Sequence, residues 1–211
     1  MKYWMLLFLT LFFLWPAEID AKRPHILLDV PIVKQKPELP RGCEVTSLAM
    51  ILLDENIKAN KMTLAKQVDK VPYKGHPNVG FVGNMYDKRK PGYGVYHKPI
   101  EKLARRYAGQ RVKNLTGSSF DQVLSYVSNG HPVWIITNAT FRPLPYSAFE
   151  TWKTKHGDVK ITWHEHSVVI VGYDQTFVYI NNPLSGKNKR YYLKDFRQAW
   201  EQMGKQAITI L

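Results

Sequence analysis

The chain of 211 residues holds one cysteine, Cys43, and seven histidines, and a thiol with an imidazole is a pair from which nucleophilic catalysis is built. Cys43 follows the turn-forming Pro40-Arg41-Gly42 and precedes Val45, Leu48, Ala49 and Leu52, an i, i+3, i+4, i+7 apolar set that predicts one buried helix face. That places the cysteine in the first turn of a helix. Unpaired backbone N–H groups and the positive end of the helix dipole favour a thiolate there, lowering the thiol pKa from its free value of about 8.5. A free cysteine is also among the most buried residue types and often serves as a small hydrophobe, so position alone leaves both readings open.

A nucleophilic thiol needs a base, and the base needs an acceptor on its other ring nitrogen. Among the histidines, His166 is best placed: it opens the apolar run 167–171 and shares a strand face with Val168 and Ile170. His164, two residues earlier on the same face, is the second candidate. His25, His76, His97, His131 and His156 fall in loops or at turns and read as surface residues. The next strand ends in Asn181-Asn182-Pro183, with Asn182 on the face of Val178 and Ile180. Its amide oxygen can accept from an imidazole and fix its tautomer, without a charge to stabilise the imidazolium. The same asparagines could equally serve only the turn before Pro183. A zinc site from Cys43, His164 and His166 lacks a fourth ligand, so neither metal nor cofactor is expected.

Composition bounds the setting. Lys2 precedes an apolar run of thirteen residues, 3–15, and Pro16 and Ala17 lead to Ala21. A basic start, apolar centre and small-residue exit make 1–21 a secretory signal peptide. The run falls short of the roughly 20 residues of a membrane helix, so cleavage is expected, with retention as an anchor the alternative. The expected location is secreted or at the cell surface, with at most peripheral membrane contact. With 30 basic and 17 acidic residues the formal charge is +13, and losing Lys2, Glu18 and Asp20 with the signal peptide makes it +14. Such a charge attracts polyanions, which for an exported protein means anionic cell-wall polymers or acidic substrates. Arg105-Arg106 and 187–190 are short clusters without a binding motif, so nucleic acid is not an expected partner. One cysteine leaves no intramolecular disulfide, so stability must come from an ordinary core.

Residues 22–211 read as a single domain, expected to be monomeric. A strand over 26–33, broken by Pro31, and a loop over 35–40 precede the Cys43 helix, which should end near 54–56. A second helix spans 62–68, with Thr63 as its cap. The glycine- and aromatic-rich stretch 75–99 is too long for an idle loop and reads as an ordered wall of a site. Helices follow over 100–107 and 119–129, then an apolar central strand over 133–137. Residues 142–159, with Pro143 and Pro145, read as an inserted loop or irregular helix. Strands over 161–173, 177–182 and 190–193, a helix over 195–203 and a closing strand over 207–211 complete the chain. This is an α+β pattern, with most helices early and an antiparallel sheet late.

Five segments in this order make the pattern specific: Gln35, then Leu39-Pro40-Arg41-Gly42-Cys43-Glu44, then Gly80-Phe81-Val82-Gly83, then the run from His166-Ser167-Val168-Val169 to Gly172-Tyr173-Asp174, then Tyr179-Ile180-Asn181-Asn182-Pro183. Together they resemble the C39-like cysteine peptidase family in its exported stand-alone form, over roughly 27–211. The resemblance implies a papain-like α+β fold with N-terminal helices packed on a C-terminal antiparallel sheet. It also implies Cys43 as nucleophile, His166 as base and Gln35 as oxyanion-hole donor. The Gln35 amide and the Cys43 backbone N–H would supply two preorganised donors to a developing oxyanion. The chain departs from the family in having Asn182 where an aspartate is usual, giving a Cys-His-Asn arrangement. The implied activity is an exported thiol hydrolase acting on a peptide or isopeptide bond of a peptide or protein substrate. The alternative is a catalytically weak or inactive peptidase fold that binds an anionic wall polymer or a protein at the cell surface.

Overall fold

The apolar runs around Trp134 and Val169 are buried from end to end, as strands at the middle of a sheet covered on both faces must be. The computed structural model describes residues 24–211; the signal-peptide reading of 1–21 lies outside them. In chain order the elements are β1 (Ile26–Leu27), α1 (Cys43–Asp54), α2 (Lys61–Gln67), β2 (Lys70–Val71), β3 (Phe81–Val82), α3 (His97–Ala108), β4 (Val112–Asn114), α4 (Phe120–Ser128), β5 (Val133–Asn138), β6 (Glu150–Thr154), β7 (Gly157–Ile161), β8 (Glu165–Tyr173), β9 (Phe177–Asn182), β10 (Gly186–Tyr192), α5 (Leu193–Gln202) and β11 (Ala207–Ile210). The principal sheet runs β10-β9-β8-β5-β11-β4, antiparallel throughout, with β1 added against β8.

Strand alternation divides the core in two. Trp134, Ile136, Val169, Val171, Ile208 and Ile210 face the side of α1, α2 and α3, where Val45, Leu48, Leu52, Leu64 and Leu103 meet them. Val133, Ile135, Val168, Ile170, Val178 and Ile180 face α4 and α5, where Val123, Leu124, Phe196 and Trp200 meet them. The α+β class and the antiparallel sheet are as expected, and the sheet carries helices on both faces. Helix α1 is fastened by more than apolar contact: Trp134 Nε1 on β5 donates to Glu44 O at 2.9 Å, and Ser47 Oγ donates to Ser167 O on β8 at 3.1 Å. Both bonds hold the cysteine end of the helix to the centre of the sheet.

Several local expectations change. The strand expected over 26–33 pairs only at Ile26–Leu27. The cap of α2 is Asn60, whose side chain accepts from Met62 N–H at 2.8 Å, and not Thr63. Residues 142–159 are no structureless insert: β6 and β7 pair there as a hairpin, with Trp152 opposite Val159 on its buried face. The two prolines precede that hairpin and do not interrupt it. The long strand expected over 161–173 breaks at Thr162–His164, so β8 starts only at Glu165. The stretch 75–99 is ordered by backbone pairing: β3 runs parallel to β2, and Gly83 bridges Gly92.

Candidate active site

Cys43 is the first residue of α1, after a turn closed by the Gly42 N–H to Leu39 O bond at 3.2 Å. A side chain at Gly42 would run into Leu39, with a Cβ at 2.6 Å from the Leu39 Cβ, so glycine lets the chain enter the helix this tightly. The helix has no side-chain cap, which leaves its first N–H groups available. Gln35 lies on the loop before the turn, and its backbone N–H bonds Pro183 O at 3.0 Å, linking that loop to the end of β9. Its amide Nε2 donates to Leu39 O at 3.0 Å and Pro40 O at 3.3 Å.

His166 is buried near the start of β8, and its Nε2 meets Asn182 Oδ1 on β9 at 3.0 Å. Asn182 Oδ1 also accepts from Leu184 N–H at 2.9 Å, so the same oxygen serves the turn and the imidazole. Asn181 faces the other way and donates to Val30 O at 3.0 Å. His164 sits in the exposed turn before β8 and is not on a strand face with His166; the break at 162–164 removes it as a neighbour of the thiol.

The histidine and the cysteine come from opposite faces of the sheet. His166 shares the α4 and α5 face and lies 6.0 Å from the Phe141 ring, whereas α1 packs on the other face. They meet at the end of β8, where Gln35, Cys43 and His166 all line one cleft of about 360 Å³. Alternation on β8 turns the flanking Glu165 and Ser167 towards α1 instead. The thiol therefore donates to Glu44 Oε2 at 3.3 Å, and donor atoms of Cys43, Glu44 and Glu165 lie within 4.8 Å of one another. No thiol–imidazole hydrogen bond is present among the described residues.

Two buried carboxyls beside the thiol reverse the expected electrostatics. Burial first, then the charges of Glu44 and Glu165, push the Cys43 pKa well above its ordinary value, and a backbone hydrogen bond from Ser167 only partly offsets them. The expectation of a thiolate favoured by the helix terminus thus fails in this arrangement, because desolvation and two acidic neighbours outweigh a partial charge. Burial likewise raises Glu44 to about 7, against backbone hydrogen bonds that include Val95 N–H to Oε1 at 2.7 Å. Burial and the Glu44 charge hold Glu165 well above the usual carboxylate range. Burial lowers His166 to about 4, although the Asn182 bond acts in the opposite direction. The resting site at neutral pH holds a neutral thiol and a neutral imidazole.

The carboxyl pair went unread in the sequence. A glutamate within the apolar run 43–53 and a second one residue before the candidate histidine were the available signals. Gly94 is their structural counterpart: a Cβ there would lie 2.6 Å from Glu44 Oε1 and 2.7 Å from Glu165 Oε2. Lys88, Gly92 and Tyr93 from the stretch 75–99 do line the cleft, with Arg41 and Trp163. Cys43, His164 and His166, the trio weighed and set aside as a zinc site, are not grouped, since His164 faces solvent and His166 bonds Asn182. The Cys43, Glu44 and Glu165 atoms are instead the close group, with a shared thiol proton accounting for one of their contacts.

Residues 27–208 match the Peptidase_C39 like family. The chain belongs to that family. It is 47% identical over 191 residues to the uncharacterized protein YvpB of Bacillus subtilis (strain 168), a match covering 87% of this chain and 75% of that protein. It is also similar to the crystal structure of a Bacillus anthracis protein described as a C39-like peptidase, with 48% identity, a TM-score of 0.87, and 89% of this chain and 97% of that one covered. The α+β architecture of this C39-like chain is therefore that of a solved relative, antiparallel sheet included.

Proposed function

We propose that this C39-like chain is a thiol hydrolase that cleaves a peptide or isopeptide bond. The observation carrying the reading is that His166, bonded to the buried Asn182 at 3.0 Å, lines the same cleft as Cys43 at its helix N-terminus. In the proposed cycle the Cys43 side chain first turns from Glu44 towards His166, a change between staggered rotamers. His166 takes the thiol proton as sulfur attacks the carbonyl carbon, then passes that proton to the leaving amine as the C–N bond breaks. The resulting thioester is hydrolysed by water, with His166 again accepting a proton and returning it to the sulfur. Asn182 holds the ring in the tautomer that presents the other nitrogen to the thiol. The oxyanion would be met by the Cys43 N–H and by Gln35, whose longer bond, 3.3 Å to Pro40 O, is the one it would replace. Because His166 is neutral and Asn182 carries no charge, proton transfer accompanies attack and no stable thiolate–imidazolium pair precedes it. We further propose that the reaction takes place outside the cytoplasm, from the character of residues 1–21.

A second reading is favoured by one observation: the thiol is buried, raised in pKa and bonded to Glu44. In that reading the cleft binds without turning over. Labelling with an electrophilic peptide probe separates the two. The hydrolase predicts that His166→Ala lowers the rate of Cys43 labelling by two to four powers of ten, the usual worth of a general base. Equal labelling of wild type and His166→Ala would end the hydrolase reading and leave the binding one.

A further inference from the structure

We propose that the groove beside Cys43 takes an acidic peptide segment, so that the preferred substrate carries carboxylates next to the bond to be cleaved; this rests on the hydrolase reading above and names its substrate class. The cleft that holds Cys43 and His166 does not end at the thiol. It continues into a second groove of about 290 Å³, and the two share Arg41, Lys88, Gly92 and Trp163 as lining. Arg89 and Lys90 belong to the same wall, which brings four cationic side chains to one side of the candidate nucleophile.

Their charges are poorly neutralised by the protein itself. Arg89 is paired with Asp87, Nη2 to Oδ2 at 2.9 Å, and Asp87 is the single carboxylate of the tip 84–92. Lys88 and Lys90 are exposed and form no ion pair among the described residues, and the one carboxylate near them, Asp87, is shared with Arg89, Lys90 and Arg41. Arg41 is different in kind: its guanidinium is held by the carbonyl oxygens of Asn84 at 3.3 Å, Asp87 at 2.9 Å and Lys88 at 3.0 Å. Carbonyls fix the position of that charge without cancelling it, two residues from Cys43 in the chain. A charge already held in place loses little side-chain entropy when a carboxylate docks, and a guanidinium suits carboxylate geometry. The one acidic lining residue of the cleft, Glu165, has its carboxyl biased towards the neutral form by burial, so it offers an acidic peptide little repulsion.

The aromatic part of the lining suits a peptide more than a phosphate polymer. Trp163 is 57% exposed and sits at the shared rim, edge-on to Tyr93 with ring centroids 5.7 Å apart and to Trp152 at 5.8 Å. Tyr73 extends the cluster, edge-on to Trp152 at 5.9 Å. A supported aromatic face offers contact to apolar side chains and backbone amides, which a uniform polyanion lacks. A lining that combines cations with aromatics matches a segment mixing acidic with apolar residues.

The test compares fluorogenic peptide pairs that differ only in Asp and Glu against Asn and Gln beside the cleavable bond. Wild type and the double charge reversal Lys88→Glu/Lys90→Glu are each assayed for cleavage, and Cys43→Ala for binding of the same peptides. The expected result is a preference for the acidic member in kcat/KM on the order of tenfold at low salt, falling as salt screens it. In the double variant that preference should disappear or invert, read as the ratio of kcat/KM for the two peptides so that any general change in Cys43 reactivity cancels. Cleavage of both peptides at equal rates, or a preference that survives the double reversal, overturns the groove while leaving the hydrolase intact. Acid-selective binding by Cys43→Ala with no cleavage by wild type upholds the groove and sinks the hydrolase. Inorganic polyphosphate binding Cys43→Ala with no discrimination between the two peptides reassigns the wall to a polyanion and overturns the proposal.

Discussion

Cys43, Glu44 and Glu165 set the reactivity of the site at the level of single residues. A helix N-terminus contributes a partial positive charge, worth about 0.3–1 kcal/mol for an exposed group. Burial with two acidic neighbours acts the other way and wins, which is why the thiol pKa is raised where the helix terminus alone would lower it. Replacing Glu165 by glutamine keeps the shape and removes the charge that Glu165 takes on when it ionises at higher pH. Glu165→Gln is therefore expected to move the pH profile of Cys43 alkylation to lower pH, since the thiolate no longer faces that carboxylate. Stopped alkylation across pH 6–10 reads it, and a profile unmoved or shifted upward would mean that the Glu165 charge is not felt by the sulfur. His166 belongs to a different balance: its proton affinity is lowered by burial and supported only by a neutral amide, so the ring is ready to accept a proton but poorly suited to keep one.

At the level of elements, the site depends on how α1 is fastened to the sheet. Trp134 on β5 points its indole N–H at Glu44 O in the first turn, in a region with no solvent to replace it. Trp134→Phe keeps most of the apolar volume but leaves that carbonyl without its donor, at a cost of about 1–3 kcal/mol. Urea denaturation should show that loss. It should also show slower Cys43 labelling than expected from stability alone, because the first turn carries the cysteine. Unchanged midpoint and labelling would mean that apolar packing by itself holds the turn. The helix α4 shows the opposite case, an element whose span was legible from its own residues, and in the structure Ser119 and Gln122 close its start in a reciprocal capping box. The hairpin β6–β7 was illegible because Pro143, Pro145 and the lack of a sustained period suggested an inserted loop or irregular helix, and its apolar face is buried against Tyr93, Tyr96 and Val82 from distant segments.

Across the whole molecule, buried titratable groups of opposite tendency shape stability. His166 has a native pKa of about 4 against an ordinary 6.5, so the unfolded chain binds more protons between those values and stability is lost as pH falls from 6.5 to 4. Glu44 at about 7 against 4.5 does the reverse: the native state holds the proton, and stability is lost as pH rises from 4.5 to 7. The two slopes oppose each other over pH 4.5–6.5. Glu44→Gln should remove one of the slopes that oppose that of His166, leaving those of Glu165 and Asp54, so that the urea midpoint climbs with pH across that window more steeply than in wild type. A slope equal to that of wild type would show Glu44 ionised in the fold at all these values. The same molecule carries a formal charge of +13, and Arg41, Lys88, Arg89 and Lys90 are the part of that excess that lines the candidate site and the groove beside it.

The sequence alone determined what depends on residue type and local period. A helix starting at Cys43, a capped α4, the buried strand after Pro132, the strand ending in Asn182 and the ordered motif set that marks the family could all be read from neighbours along the chain. Tertiary structure decided what depends on which faces meet. Alternation on β8 sends His166 to one side of the sheet and Glu165 with Ser167 to the other, and no pattern along the chain says on which side α1 will pack. Once it packs beside Glu165, Glu44 and Glu165 become neighbours of the thiol and of each other, with Gly94 leaving room for both. The electrostatics of the cysteine follow from that encounter, because desolvation and the charges around a group are properties of its surroundings in space.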